Sequence, residues 1–144
     1  MRRRARLSLT VAAVLGWLLV QGAGSAQTPA NPIVVLETNK GTITMELYPQ
    51  EAPKTVERFI ALVKKLFYNR QHFHRVEKNF VIQVGDPDSK DFARKDTWGR
   101  KGSGQPIGGA EISKKLTHKK GAVGMAHAGD PTQADSQFYI TLSA

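Results

Sequence analysis

Arg75, Phe80 and Gln83 put a permanent cation, an aromatic ring and an amide into one short segment. An arginine guanidinium keeps its charge in proteins and offers N–H donors in a fixed fork. It therefore suits electrostatic stabilisation of a reacting group better than proton transfer. Taken singly, Arg75 also reads as a surface or ion-pairing arginine. Phe73, Phe80, Phe138 and Tyr139 also read as core aromatics, and Gln83 and Gln137 as partners for backbone groups. The chain has no cysteine, which excludes disulfides, thiolate metal sites and a cysteine nucleophile. His72 and His74 lie two positions apart, with His118 and His127 elsewhere. No carboxylate or cysteine completes a ligand set around them, so no metal is expected.

The elements that must carry these residues are legible in the residue pattern. Ile33 to Thr38 is rich in β-branched residues and reads as a strand, and Asn39-Lys40-Gly41 as a turn. Thr42 to Tyr48 then alternates, with Ile43, Met45 and Leu47 on one face and Thr42, Thr44 and Glu46 on the other. That is a half-buried strand, so the first unit is a hairpin. Pro53 fits the first turn of a helix. Val56, Phe59, Ile60 and Val63 give that helix one apolar stripe, ending near Lys65. Lys64 and Lys65 suit the negative end of its dipole. Residues 73–75 and 80–84 predict two short strands, and residues 121–126 and 137–142 two more. Between them, residues 86–109 are rich in Gly, Asp, Lys and Ser without periodicity, which predicts a long irregular loop. Neither a repeat nor a second domain is visible.

A chain of 144 residues suffices for one domain. With 40% hydrophobic and 23% charged residues, it has the balance of a soluble globular protein. Four of the charges behind the net +9 stand at the start. Arg2, Arg3, Arg4 and Arg6 precede an apolar run from Leu7 to Val20, followed by Gly22, Ala23, Gly24, Ser25 and Ala26. This pattern predicts a secretory leader, residues 1–26, cleaved after Ala26. The apolar run is short for an uncleaved anchor, the alternative reading. Residues 27–32 form a polar linker, and residues 33–144 the domain. Four of the 21 basic residues leave with the leader, so 17 remain against 12 acidic ones. They form scattered pairs such as Lys64-Lys65 and Lys119-Lys120 rather than a basic stripe with interleaved aromatics, so nucleic acid is not an expected partner. The expected location is periplasmic or secreted, with no membrane association after cleavage.

Three segments carry something more specific. The first is Gly41-Thr42-Ile43-Thr44-Met45-Glu46-Leu47-Tyr48-Pro49 running into Ala52-Pro53-Lys54-Thr55-Val56-Glu57-Arg58-Phe59. The second is Phe73-His74-Arg75-Val76 followed by Phe80-Val81-Ile82-Gln83-Val84-Gly85-Asp86-Pro87. The third is Gly121-Ala122-Val123-Gly124-Met125-Ala126-His127-Ala128-Gly129, then Asp135-Ser136-Gln137-Phe138-Tyr139-Ile140. In type, order and spacing they resemble the cyclophilin family of peptidyl-prolyl cis/trans isomerases, from Ile33 to Ala144. The resemblance implies a mainly β fold, a closed antiparallel β-barrel of eight strands capped by helices, with an active groove on its outer face. It implies Arg75 and Gln83 as catalytic residues. Phe80, Val81, Ala126, His127, Gln137 and Tyr139 become substrate-binding residues. No cofactor is implied. The implied partners are proline-containing peptides and unfolded exported proteins, and the complete protein is expected to be a monomer.

The sequence departs from the family pattern in places. Glu77-Lys78-Asn79 stands where a proline-glycine turn is usual, Val84 replaces a glycine, and Tyr139 replaces a phenylalanine. The Tyr139 hydroxyl needs a partner if the slot is to stay apolar. The family's domain continues with further strands and a helix, so the barrel is expected to be truncated before closure and this chain to fold poorly and isomerise weakly or not at all. Two other readings stay open. One is a module that binds proline segments without turnover. The other is an unrelated exported β-sandwich that binds carbohydrate, for which Trp98 is the only obvious surface aromatic.

The implied chemistry is rotation about an X–Pro amide, whose resonance sets a barrier of roughly 18–20 kcal/mol. Nothing is cleaved, so neither nucleophile nor metal is required. The catalyst must favour the twisted state, in which the prolyl nitrogen regains its lone pair. Arg75 suits that task, with an apolar pocket to grip the ring.

Overall fold

The computed structural model describes residues 30–144. The expected leader, residues 1–26, lies outside the described residues. Strands β1 (Ile33–Thr38) and β2 (Gly41–Glu46) pair antiparallel from Ile33 opposite Glu46 to Thr38 opposite Gly41. Met45 and Leu47 are buried, and Thr42, Thr44 and Glu46 are exposed, as the alternation requires. Helix α1 (Pro53–Lys64) begins on Pro53 and buries Val56, Phe59 and Leu62. Ala52 offers its amino end no side-chain cap. The Glu111 carboxylate does so instead, accepting from the Lys54 N–H at 3.0 Å and the Thr55 N–H at 2.8 Å.

The second sheet has the order β3–β4–β6–β5, all antiparallel. Its strands are β3 (Arg75–Glu77), β4 (Val81–Val84), β5 (Val123–Met125) and β6 (Phe138–Thr141). Val84, Phe138 and Ile140 of this sheet meet Val34, Met45, Leu47, Val56 and Phe59 in one buried cluster. Phe138 is fully buried and stands edge-on to Phe59, with ring centroids 5.2 Å apart, and to Tyr68 at 5.5 Å. Val84, which stands in place of a usual glycine, therefore serves the core and does not narrow the groove.

Gly85 ends β4 at φ +118°, a conformation that favours glycine. A Cβ there would lie 2.5 Å from the Gln137 Cα and press on the Ser136 carbonyl. The Ser136 hydroxyl donates to the Gly85 carbonyl at 2.8 Å, binding the two segments at this crossing.

The structure differs from the sequence expectations in two places. The segment 86–109 is not irregular throughout. It contains 3-10 turns at Pro87–Lys90 and Phe92–Thr97. The buried Asp86 carboxylate gathers it, accepting from the backbone N–H of Asp88 (2.8 Å), Arg100 (3.0 Å) and Lys101 (3.1 Å). Strand β3 begins at Arg75 and runs on to Glu77, whereas the sequence suggested a strand ending at Arg75. Among the described residues the fold is mainly β, in two open antiparallel sheets with no closed barrel. No described helix is long and apolar enough to cross a membrane.

Partial burial alone would raise the Glu111 carboxyl, but the N–H groups of Thr55 and Lys54 outweigh it and hold the group below its ordinary value. A carboxylate lowered in the folded state stabilises fully above its ordinary titration range, and this contribution fades as pH falls through the lowered value. Glu111→Ala should cost about 1 kcal/mol at neutral pH and much less in acid. Urea unfolding of both proteins across that range measures the difference.

Candidate active site

Antiparallel register places Arg75 opposite Gln83, Gln83 opposite Tyr139, and Tyr139 opposite Gly124. These four residues form one row across the whole sheet. Two positions along each strand, Glu77, Val81 and Thr141 form a second row on the same face. The intervening pair Ile82 and Ile140, and Val84 and Phe138 one position beyond Gln83 and Tyr139, point the other way, toward the core.

On this face lies a groove of about 380 Å³, lined by Arg75, Phe80, Val81, Gln83, His118 and Tyr139 together with the last residues of the chain. Val81 is buried at its base and Phe80 stands half-open at its rim. The Arg75 guanidinium carbon lies 5.5 Å from the centre of the Phe80 ring, a cation–π arrangement. Phe80 reaches the rim through the tight turn at Glu77 to Phe80, where Asn79 adopts φ +60° in place of the usual glycine. A second hollow of about 210 Å³ adjoins the first. Met125, Ala126 and His127 line it, and it shares Arg75, Gln83 and Tyr139 with the groove.

A relay of amides supports the arginine. The Gln137 amide nitrogen donates to the carbonyls of Gly99 (3.0 Å) and Lys101 (2.7 Å). Its oxygen accepts from the Gln83 amide nitrogen at 2.9 Å, and the Gln83 oxygen faces Arg75 Nη1 at 3.5 Å. Each amide thus has its direction fixed by the next. Gln137 lines neither hollow; its side chain bonds Gln83 and the carbonyls of Gly99 and Lys101, and its own carbonyl accepts from the Ala126 N–H at 2.8 Å. The other edge of the guanidinium is held by Glu77, whose Oε1 accepts from Nε at 2.7 Å and lies 2.6 Å from Nη2. Both partners remain about half exposed, so the charge of Arg75 is paired but not buried.

The hydroxyl of Tyr139 has a partner that the sequence did not reveal. His118 Nε2 lies 2.6 Å from it, with the rings stacked at 5.8 Å and 15°. Burial raises the Tyr139 pKa, so the hydroxyl keeps its proton. Gly124 is needed beside it, because a Cβ there would lie 2.5 Å from the Tyr139 oxygen.

The other sequence candidates are absorbed by packing. His72 Nδ1 lies 2.5 Å from the Ser89 carbonyl, and its ring stacks on Trp98 at 5.4 Å. Trp98 thus has one face covered, and its indole N–H donates to the Asp91 carbonyl at 3.1 Å. His74 is part-buried with neither ring nitrogen hydrogen-bonded. Burial lowers its pKa, against the opposing field of Asp86, and keeps it neutral. Among the described residues no three His, Asp or Glu side chains are grouped to hold a metal. The arrangement offers a fixed cation at the lip of an apolar slot.

The His118–Tyr139 bond gives the hydroxyl a partner at the wall of the groove. His118→Ala should weaken proline-peptide binding several-fold, and the same change in a Tyr139→Phe background should have little effect, a coupling of about 1 kcal/mol. Calorimetric titration of the four proteins measures it.

The family model described as cyclophilin type peptidyl-prolyl cis-trans isomerase/CLD matches residues 33–144. A peptidyl-prolyl cis-trans isomerase of Acinetobacter baylyi is 38% identical over 133 residues, which cover 92% of this chain and 64% of that protein. An Arabidopsis thaliana peptidyl-prolyl cis-trans isomerase is 37% identical over 78% of this chain and 65% of its own length. The chain thus spans just under two thirds of these relatives. Among solved structures, a Cryptosporidium parvum cyclophilin type isomerase crystallised in the presence of the dipeptide Ala-Pro is 34% identical. It covers 78% of this chain and 68% of its own, with a TM-score of 0.65. The matched family, the sequence relatives and the shared fold agree, and the chain belongs to the cyclophilin-type peptidyl-prolyl cis-trans isomerases.

Proposed function

We propose that this face catalyses cis/trans rotation of X–Pro bonds in exported polypeptides. The observation that carries the reading is the placement of Arg75 at the lip of a slot walled by Phe80, Val81 and Tyr139. The pyrrolidine ring enters the slot, where burial of its methylenes supplies binding. Arg75 then donates to the prolyl carbonyl and sets positive charge near the nitrogen, whose lone pair forms only as the amide twists. The adjoining hollow at Ala126 and His127 receives the neighbouring peptide residue. Lowering the barrier by roughly 7–8 kcal/mol gives five to six powers of ten. Support for a proline ligand comes from the Cryptosporidium relative, crystallised with Ala-Pro. No step calls for a cofactor, and a monomer suffices.

Arg75→Ala should lower kcat/KM by about 10²–10³ in a protease-coupled or exchange-NMR assay, with peptide binding nearly kept. Equal activity in the variant contradicts the proposal. A wild type that binds proline peptides without turnover supports a binding module instead. The basic, apolar and small-residue pattern of residues 1–26 supports export. The protein recovered outside the cytoplasm should begin at Gln27 on N-terminal sequencing, and an intact Met1 there would contradict cleavage.

A further inference from the structure

We propose that Glu77 is a positioning residue for Arg75, holding the guanidinium in the attitude that presents Nη1 to the groove. The inference rests on the isomerase reading above.

Arg75 and Glu77 are the two ends of β3 and share its outward face. Arginine has a long side chain with many rotamers, and Arg75 is exposed on an edge strand where packing restrains it little. Gln83 reaches Nη1 only at 3.5 Å, and Phe80 supplies one ring face at 5.5 Å. Neither contact fixes the rotation of the guanidinium. Glu77 does, because one carboxylate oxygen takes both Nε and Nη2, which determines the plane and direction of the fork. The edge so occupied is the one away from Gln83, leaving Nη1 on the groove side.

The carboxylate also subtracts positive charge, so two effects compete. Both side chains are about half exposed, and water screens the added charge. The lost rotamers are not screened. Orientation therefore outweighs neutralisation, and removing Glu77 lowers activity instead of raising it. In the turn that follows, Asn79 supplies the left-handed residue.

The test uses the full chain and an uncharged, blocked proline tetrapeptide, comparing wild type with Glu77→Gln, Glu77→Ala and Arg75→Ala. Glu77→Gln and Glu77→Ala should lower kcat roughly three- to five-fold, the scale of an exposed ion pair, with KM and thermal unfolding unchanged. Added salt at about 1 M, where screening extends only about 3 Å, should bring wild-type kcat down toward the variants and leave the variants flat. Unchanged or raised kcat in both Glu77 variants overturns the inference, as does a loss confined to KM or to folding. If Arg75→Ala matches wild type, the isomerase reading itself fails and the inference falls with it. If Arg75→Ala is crippled while the Glu77 variants are normal, only the inference fails.

Discussion

The site depends on strand register. Tyr139 is remote in the chain from the short segment carrying Arg75 and Gln83, yet two antiparallel pairings set the three side by side, and a third adds Gly124 to the row. A slip of one residue between β4 and β6 would turn Tyr139 into the core and Phe138 into the groove. The fully buried Phe138, held edge-on between Phe59 and Tyr68, opposes that slip. The aromatic core and the groove are therefore two faces of one constraint. The hairpin and α1 act on function through the register they enforce.

The polar half of the site solves a different problem. A guanidinium that is to act on a passing amide must be oriented without being buried or fully neutralised. Backbone carbonyls at Gly99 and Lys101 anchor Gln137, which orients Gln83, which faces Arg75. The segment carrying those carbonyls is itself gathered by buried Asp86. A stretch that looks like irregular sequence thus holds up the far end of the relay. Tyr139 shows the same economy, since its extra hydroxyl is taken up by His118 at the margin of the slot.

What could be read in the sequence followed local periodicity. The Ile43, Met45, Leu47 alternation and the Val56, Phe59, Ile60, Val63 stripe located the hairpin and α1, because burial on one face imposes a period. The motif around Arg75 and Gln83 and the one around Ala126 and Tyr139 placed the residues that the structure brings around two adjoining hollows. The rest was hidden where partners are remote. Nothing near Asp86 in sequence says that its carboxylate will collect the N–H groups of Arg100 and Lys101. His118 lies in an aperiodic stretch 21 residues from Tyr139. Glu77 could have been found. A strand drawn two residues further would have set it on the same face as Arg75, with opposite charge.

The central claim is spatial: a prolyl ring rests against Phe80 and Tyr139 while Arg75 meets its carbonyl. Exchange NMR on a proline peptide mixed with the protein tests this directly. The account requires exchange cross-peaks linking the cis and trans forms, together with intermolecular NOEs from the pyrrolidine protons to the rings of Phe80 and Tyr139. Exchange accompanied by ring contacts elsewhere, or ring contacts at this slot without exchange, would contradict it.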